Sequence, residues 1–119
     1  MASQDRVRAG LLFDLYGPLL TDHQQEIWQL YYLEDWSLAE IGTSQKVSRA
    51  AVHDMLERTD RLLEDYEERL GLLMQHQRRR THLAEAIRMA GRLSSDCAEV
   101  RAIYDTLTRL AEEEGLSDV

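Results

Sequence analysis

The chain has 119 residues, 44% apolar and 30% charged, and its 22 acids against 14 bases leave a formal net charge of -8. That length is one domain with room for a real core, and that charge repels nucleic acid and anionic membrane at long range. The single Cys97 excludes an intramolecular disulfide framework and fits a reducing cytoplasm, and no run approaches the roughly eighteen apolar residues of a membrane span.

Arg6 and Arg8 precede an apolar run, Leu11 to Phe13, that Asp14 cuts short, so no secretory leader is expected. One proline and six scattered glycines disfavour a fold of many tight hairpins.

Capping signals divide the chain into helices. A first helix, about Asp5 to Tyr16, carries Val7, Leu11, Leu12 and Leu15 at helical spacing and stops before Gly17-Pro18. Thr21 opens a second with a capping box to Gln24; it buries Ile27, Leu30, Tyr31 and Trp28 and frays around Leu33 to Asp35. Ser37 opens a third with a capping box to Glu40, carrying Leu38 and Ile41 before Gly42.

Ser48 caps a fourth helix with a long stripe of Val52, Met55, Leu56, Thr59, Leu62, Leu63, Tyr66 and Leu70, and Gly71 is its left-handed stop. A fifth runs from about Leu72 to Arg92 across the polar stretch Gln75 to His82, regaining a stripe at Leu83, Ala86, Ile87 and Ala90. A third capping box, Asp96 with Glu99, starts a last helix bearing Val100, Ile103, Tyr104, Leu107, Leu110 and Ala111, and Gly115 ends it.

Thr21 to Leu63 has the layout of a helix-turn-helix. Leu38, Ile41, Val47, Val52 and Leu56 would form its small core, Gly42 would let the helices approach, and Ser48 would cap the helix that enters the major groove in DNA-binding versions. The plainer alternative is two short capped helices in a bundle.

Three stretches carry a resemblance: Leu15-Tyr16-Gly17-Pro18-Leu19-Leu20-Thr21, Tyr31-Tyr32-Leu33-Glu34-Asp35-Trp36-Ser37-Leu38-Ala39-Glu40-Ile41, and Val47-Ser48-Arg49 followed by Ala51-Val52. With Leu62 to Gly71, they are similar to the YlxM family of small bacterial proteins, whose helix-turn-helix is like region 4 of sigma factors. The resemblance covers residue 11 to about residue 74 well and the remainder loosely. Members are usually encoded beside the signal recognition particle GTPase or its receptor, so the resemblance implies a regulatory or accessory role in that pathway, with the particle's protein or RNA as partner. The family's turn carries an aromatic or aliphatic residue and then Gly before the Val-Ser pair. Here Gln45 and Lys46 stand there, which removes an apolar core residue and puts a lysine where a positive φ is needed.

Arg49, His53, Arg58 and Arg61 are the fourth helix's candidates for phosphate or base contact, but Asp54, Glu57 and Asp60 are interleaved with them. Thr21 to Leu63 holds four bases against eight acids, which leaves little counterion release to drive DNA affinity. DNA is therefore a disfavoured partner. Arg78, Arg79 and Arg80, flanked by His76 and His82, are the one basic concentration, with Arg88 and Arg92 on later turns. They are candidates for an RNA or acidic-protein contact; alternatively they pair with the acidic run Glu64 to Glu68, within the chain or across a dimer.

Catalysis and metal binding have weak support. His53 with Glu57 and His82 with Glu85 offer two ligands each, every glycine is isolated, and Cys97 near a helix start has no evident basic partner. No enzyme activity, metal or cofactor is expected.

The architecture expected is all-α: residues 1–71 as N-terminal helices plus a sigma-region-4-like helix-turn-helix with a long fourth helix, and residues 72–119 as a helical hairpin packing on the same domain. The function expected is that of a cytoplasmic, non-enzymatic accessory protein of the signal recognition particle pathway; the alternative is a DNA-binding transcriptional regulator. Trp28, Tyr31, Tyr32 and Trp36 exceed what two short helices hide, so some are expected to face a partner. The last helix's apolar face predicts a homodimer.

Overall fold

The computed structural model describes residues 3–93 and 96–114, with side chains from Arg6 onward. These residues form six α-helices and no strand: α1 (Ser3–Tyr16), α2 (Asp22–Tyr32), α3 (Leu38–Gln45), α4 (Arg49–Leu70), α5 (Leu72–Gly91) and α6 (Ala98–Glu113). A 3-10 turn, Gly17–Leu19, joins α1 to α2. The chain forms two compact units, Met1–Leu73 and Met74–Val119.

The caps explain where the helices of the first unit begin. Thr21 Oγ1 accepts the Gln24 N–H while the Gln24 side chain accepts the Thr21 N–H, and Ser37 and Glu40 repeat this reciprocal arrangement. Ser48 Oγ accepts the Ala51 N–H at the start of α4, and Gly71, at φ +63°, ends that helix in the left-handed conformation. Asp35 and Lys46 also take positive φ, 57° and 61°.

Two hydrophobic clusters share α4. One joins Ala9, Leu12, Tyr16, Leu20, Trp28, Leu63 and Leu73; the other joins Ile27, Ile41, Val52 and Leu56. The second is the helix-turn-helix core, and Tyr32 packs against both clusters.

Helix α1 uses a different face from the stripe its spacing suggested. Leu12 is buried, but Val7, Leu11 and Leu15 are exposed, and Ala9, Phe13 and Tyr16 do the packing. The helix is apolar on two sides, so periodicity alone does not choose between them. Aromatic packing chooses: Phe13 stacks on Trp28 with centroids 4.0 Å apart and planes 5° from parallel, and Trp28 stacks on Tyr32 at 4.6 Å. Trp28 is therefore core rather than partner surface, at 2% exposure.

Two more expected core residues are exposed. Leu70 lies in the last turn of α4, and Val47 serves the helix-turn-helix through its backbone, donating its N–H to Gly42 O at 2.9 Å. A Cβ on Gly42 would stand 2.8 Å from Val47 O, so only glycine admits this approach.

At the corner between α4 and α5, Glu67 is buried, and its Oε1 accepts from the Tyr16 hydroxyl at 2.7 Å and from Leu73 N at 2.9 Å. The Tyr16 hydroxyl in turn accepts the Leu72 N–H at 3.1 Å. Two backbone donors that helix geometry leaves without partners at the start of α5 are thereby satisfied. This tie and the burial of Leu73 put the first two residues of α5 in the first unit.

The second unit contains the rest of α5 and α6. Among its described residues, Ala90 and Ala111 are the buried apolar ones. The capping residue of α6 is Cys97, without a side-chain cap hydrogen bond, so the expected Asp96–Glu99 box does not open this helix. The expected stop at Gly115 lies outside the described residues. His76 Nδ1 and Arg79 Nη1 approach Glu114 at 3.5 and 3.9 Å.

Candidate functional site

The helix-turn-helix is formed by α3, the turn around Lys46 and the first half of α4. Lys46, at φ 61° and ψ 40°, closes α3 by donating its N–H to Gly42 O, and Val47 N bonds the same carbonyl. The side chain bears the steric cost of the left-handed conformation that a glycine would not.

Beyond Ser48, Arg49, Ala50, His53, Asp54 and Glu57 are all exposed on the first turns of α4. Leu38, Arg49, Ala50, His53 and Asp54 line a shallow depression of about 320 Å³. Its charge is internally balanced rather than basic. His53 lies between two carboxylates, Nδ1 at 3.9 Å from Asp54 and Nε2 at 3.7 Å from Glu57.

The four candidate nucleic-acid contacts do not converge. Arg49 and His53 occupy the leading turns, whereas Arg58 and Arg61 sit about 13 to 18 Å farther along the axis, counted from Arg49 at the α-helical rise. Arg49 and Arg58 are also about 180° apart in helical phase. A groove entered by the leading turns would meet Arg49 and His53 together with Asp54 and Glu57.

Potential ligand atoms of His53, Asp54 and Glu57 lie within 4.8 Å of one another. All three side chains are exposed on one helix, and such a set lacks the fourth protein ligand and the enclosure of a structural zinc site.

The basic concentration on α5 is divided. Arg79 meets Glu114 of α6, while Arg78, Arg79 and Arg80 are all exposed. The acidic run was one expected partner for these arginines, but Glu64 is taken by Arg8, whose Nε and Nη2 donate to its two oxygens at 2.6 and 2.9 Å. The bidentate contact holds the Glu64 carboxyl below its ordinary pKa.

Three features of the first unit escaped the sequence. Arg6 donates to the carbonyls of Tyr31 and Tyr32 and to Asp35, with its guanidinium 5.5 and 5.2 Å from the centroids of those two tyrosine rings. It thereby closes the α2 C-terminus and covers part of the aromatic cluster expected to face a partner. Asp60 accepts the Tyr32 hydroxyl at 2.7 Å. Burial dominates there and pushes Asp60's pKa up, against the pull of Tyr32 and of the Trp28 indole N–H, which lies nearby without reaching hydrogen-bond geometry. Last, Val7, Leu11 and Leu15 form an exposed apolar row on α1 at i, i+4, i+8 spacing.

Charge is unevenly shared. Residues 1–73 hold seven bases and fourteen acids, whereas residues 74–119 hold seven and eight. The unit carrying the helix-turn-helix thus has nearly all of the net negative charge. Among the described residues, no helix is long and apolar enough to cross a membrane.

Comparison with known proteins matches residues 3–102 to a family described as "Putative helix-turn-helix protein, YlxM / p13 like". A relative from Symbiobacterium thermophilum is 55% identical over 76 residues, 64% of this chain and 71% of that protein. One from Geobacillus kaustophilus is 41% identical over 104 residues, 87% of this chain and 94% of that protein. The protein YlxM of Bacillus subtilis is 39% identical over 110 residues, 92% of this chain and 99% of its own length.

Proposed function

This chain belongs to the YlxM / p13-like family of helix-turn-helix proteins, and from that premise we propose that it is a non-enzymatic accessory protein of the signal recognition particle pathway. The family resemblance supplies the pathway. The observation that carries the mode of action is the charge of the helix-turn-helix unit, seven bases against fourteen acids, with His53 held between Asp54 and Glu57 on the leading turns of α4. A surface of that sign gains nothing from displacing counterions off a phosphate backbone. It suits a protein partner better than a nucleic acid. In this reading the helix-turn-helix is retained as a rigid frame, and the particle's protein component is its target.

The test is direct binding of the purified chain to the particle's GTPase, with and without its RNA, and to the receptor, together with the rate of GTP hydrolysis. Saturable binding at micromolar concentration with a changed hydrolysis rate is expected. Absence of binding at about 10 μM to the GTPase, alone or with its RNA, and to the receptor overturns the pathway assignment.

A second reading, a DNA-binding regulator, is favoured by the Ser48 cap and by Arg49 and His53 exposed on the leading turns. A duplex shift at micromolar protein in about 150 mM salt, abolished by Arg49→Ala, would establish it in place of the first.

A further inference from the structure

Helix α6 is strongly amphipathic, yet its apolar side chains are poorly covered. Ile103, Tyr104 and Leu110 are exposed at 55%, 40% and 44%, and on α5 Met89 is exposed at 59%. Helix α5 continues for 18 residues beyond Leu73, and α6 adds 16. Two helices of that length touch along one line and leave each other's flanks open, and so small a core does not hold a hairpin by itself.

The open flanks fall on one side. Ile103 and Leu110 are two turns apart on one edge of the α6 stripe. The contacts of Glu114 with His76 and Arg79 fix the antiparallel register of the hairpin. With that register, helical phase puts Met89 on the same side as Ile103 and Leu110, beside the partly buried Ala86. A face two helices wide and as long as α6 is about 500 Å² in projection. Side-chain corrugation raises its accessible area above that projection, toward the roughly 800 Å² per partner that a stable dimer buries.

We propose that this side of the α5–α6 hairpin is a homodimer interface, on which a second copy of the chain lays the same side to complete a four-helix bundle. Self-pairing is favoured by charge. Residues 74–119 carry seven bases and eight acids, so two copies meet with little net repulsion, whereas residues 1–73, with seven against fourteen, would repel their own kind. Both signs also occur at one end of the hairpin, with Arg78 to Arg80 on α5, Glu112 and Glu113 in the last turn of α6, and Glu114 capping it. A two-fold pairing gives every such contact twice. The interface residues belong to the second unit and the helix-turn-helix to the first, so a dimer carries two copies of the acidic module.

Sedimentation equilibrium of the full chain, from about 1 to 100 μM, tests this. A species of twice the 13.8 kDa chain mass is expected. The double variant Ile103→Glu with Leu110→Glu is expected to weaken dimerisation by about 100-fold or more, while Leu11→Glu on the exposed row of α1 leaves it unchanged. Should the glutamates reduce helicity, Ile103→Ala with Leu110→Ala keeps helix propensity and is expected to weaken the dimer at least about tenfold. A single species at the mass of one chain throughout that range overturns the proposal. So does a dimer that survives these hairpin variants or is broken by Leu11→Glu.

Discussion

The Tyr16 hydroxyl donates to Glu67 Oε1 at 2.7 Å and accepts the Leu72 N–H at 3.1 Å, tying α1 to the corner where α4 hands over to α5. Tyr16 is 1% exposed and Glu67 8%, so no bulk water replaces either bond when one partner is lost. Tyr16→Phe is expected to cost about 1–3 kcal/mol in urea unfolding, with the slope unchanged. A loss below about 0.3 kcal/mol would show that the corner is held by packing alone.

Alkaline pH should weaken the fold. Burial pushes the Tyr16 phenol up, with help from Glu67, and burial followed by Asp60 pushes Tyr32 up. A raised folded pKa gives stability that is fully present below the unfolded value, 10.0 here, and is lost as pH climbs from there toward the folded value. Stability measured by denaturant should therefore fall above about pH 10, and the Tyr16→Phe, Tyr32→Phe double variant should flatten that decline. Glu64 acts in the opposite sense: Arg8 depresses its pKa, so its contribution is present above the ordinary value of 4.5 and lost as pH falls through the folded value. That pair is half-exposed, which limits it to less than about 1 kcal/mol.

Asp60 separates hydrogen bonding from charge. Asp60→Asn keeps an acceptor for the Tyr32 hydroxyl and removes a carboxylate that burial disfavours, so stability at neutral pH should be unchanged or higher. Asp60→Ala leaves the Tyr32 hydroxyl without this acceptor and should cost about 1–3 kcal/mol. Thermal unfolding of both variants beside the parent reads the difference, and equal losses would contradict the assignment.

Leu63→Ala should cost about 2–5 kcal/mol, because Leu63 is fully buried in the cluster that joins α1, α2 and α4. Equilibrium urea titration checks this.

Two turn substitutions should move stability in opposite directions. Lys46→Gly relieves a left-handed conformation and should stabilise by roughly 0.5–1 kcal/mol, net of the glycine's greater unfolded-state entropy. Gly42→Ala drives a methyl against the Val47 carbonyl, which is backbone and cannot swing away, and should cost about 1–3 kcal/mol. Thermal melts of the two variants beside the parent measure both.

Local chemistry made much of this legible beforehand. The caps at Thr21, Ser37 and Ser48, the stop at Gly71, the left-handed Lys46 and the close approach at Gly42 each depend on a few neighbouring residues, and all six are present. What escaped depends on residues far apart. Arg8 reaches Glu64 across 56 positions and Tyr16 reaches Glu67 across 51, and no spacing rule foretells such partners. The buried face of α1 differs from the expected one because Val7, Leu11 and Leu15 fit a helical period as well as Ala9, Leu12 and Tyr16 do. At the candidate site, the identities of Arg49, His53, Asp54 and Glu57 were plain, but the bracketing of His53 by two acids needed side-chain geometry.

Helix α4 contributes Val52 and Leu56 to one cluster and Leu63 to the other, with no break between them. Amide exchange in α3 is therefore governed from the far end of that rod as well as from its own surroundings. Loosening α1 removes one of the three helices that pack on α4, and the short α3 has too few residues to persist as an independent foldon. The helix-turn-helix should then open in the same cooperative event as the N-terminal helix. Its slowest-exchanging amides should share a single opening free energy with those of α1.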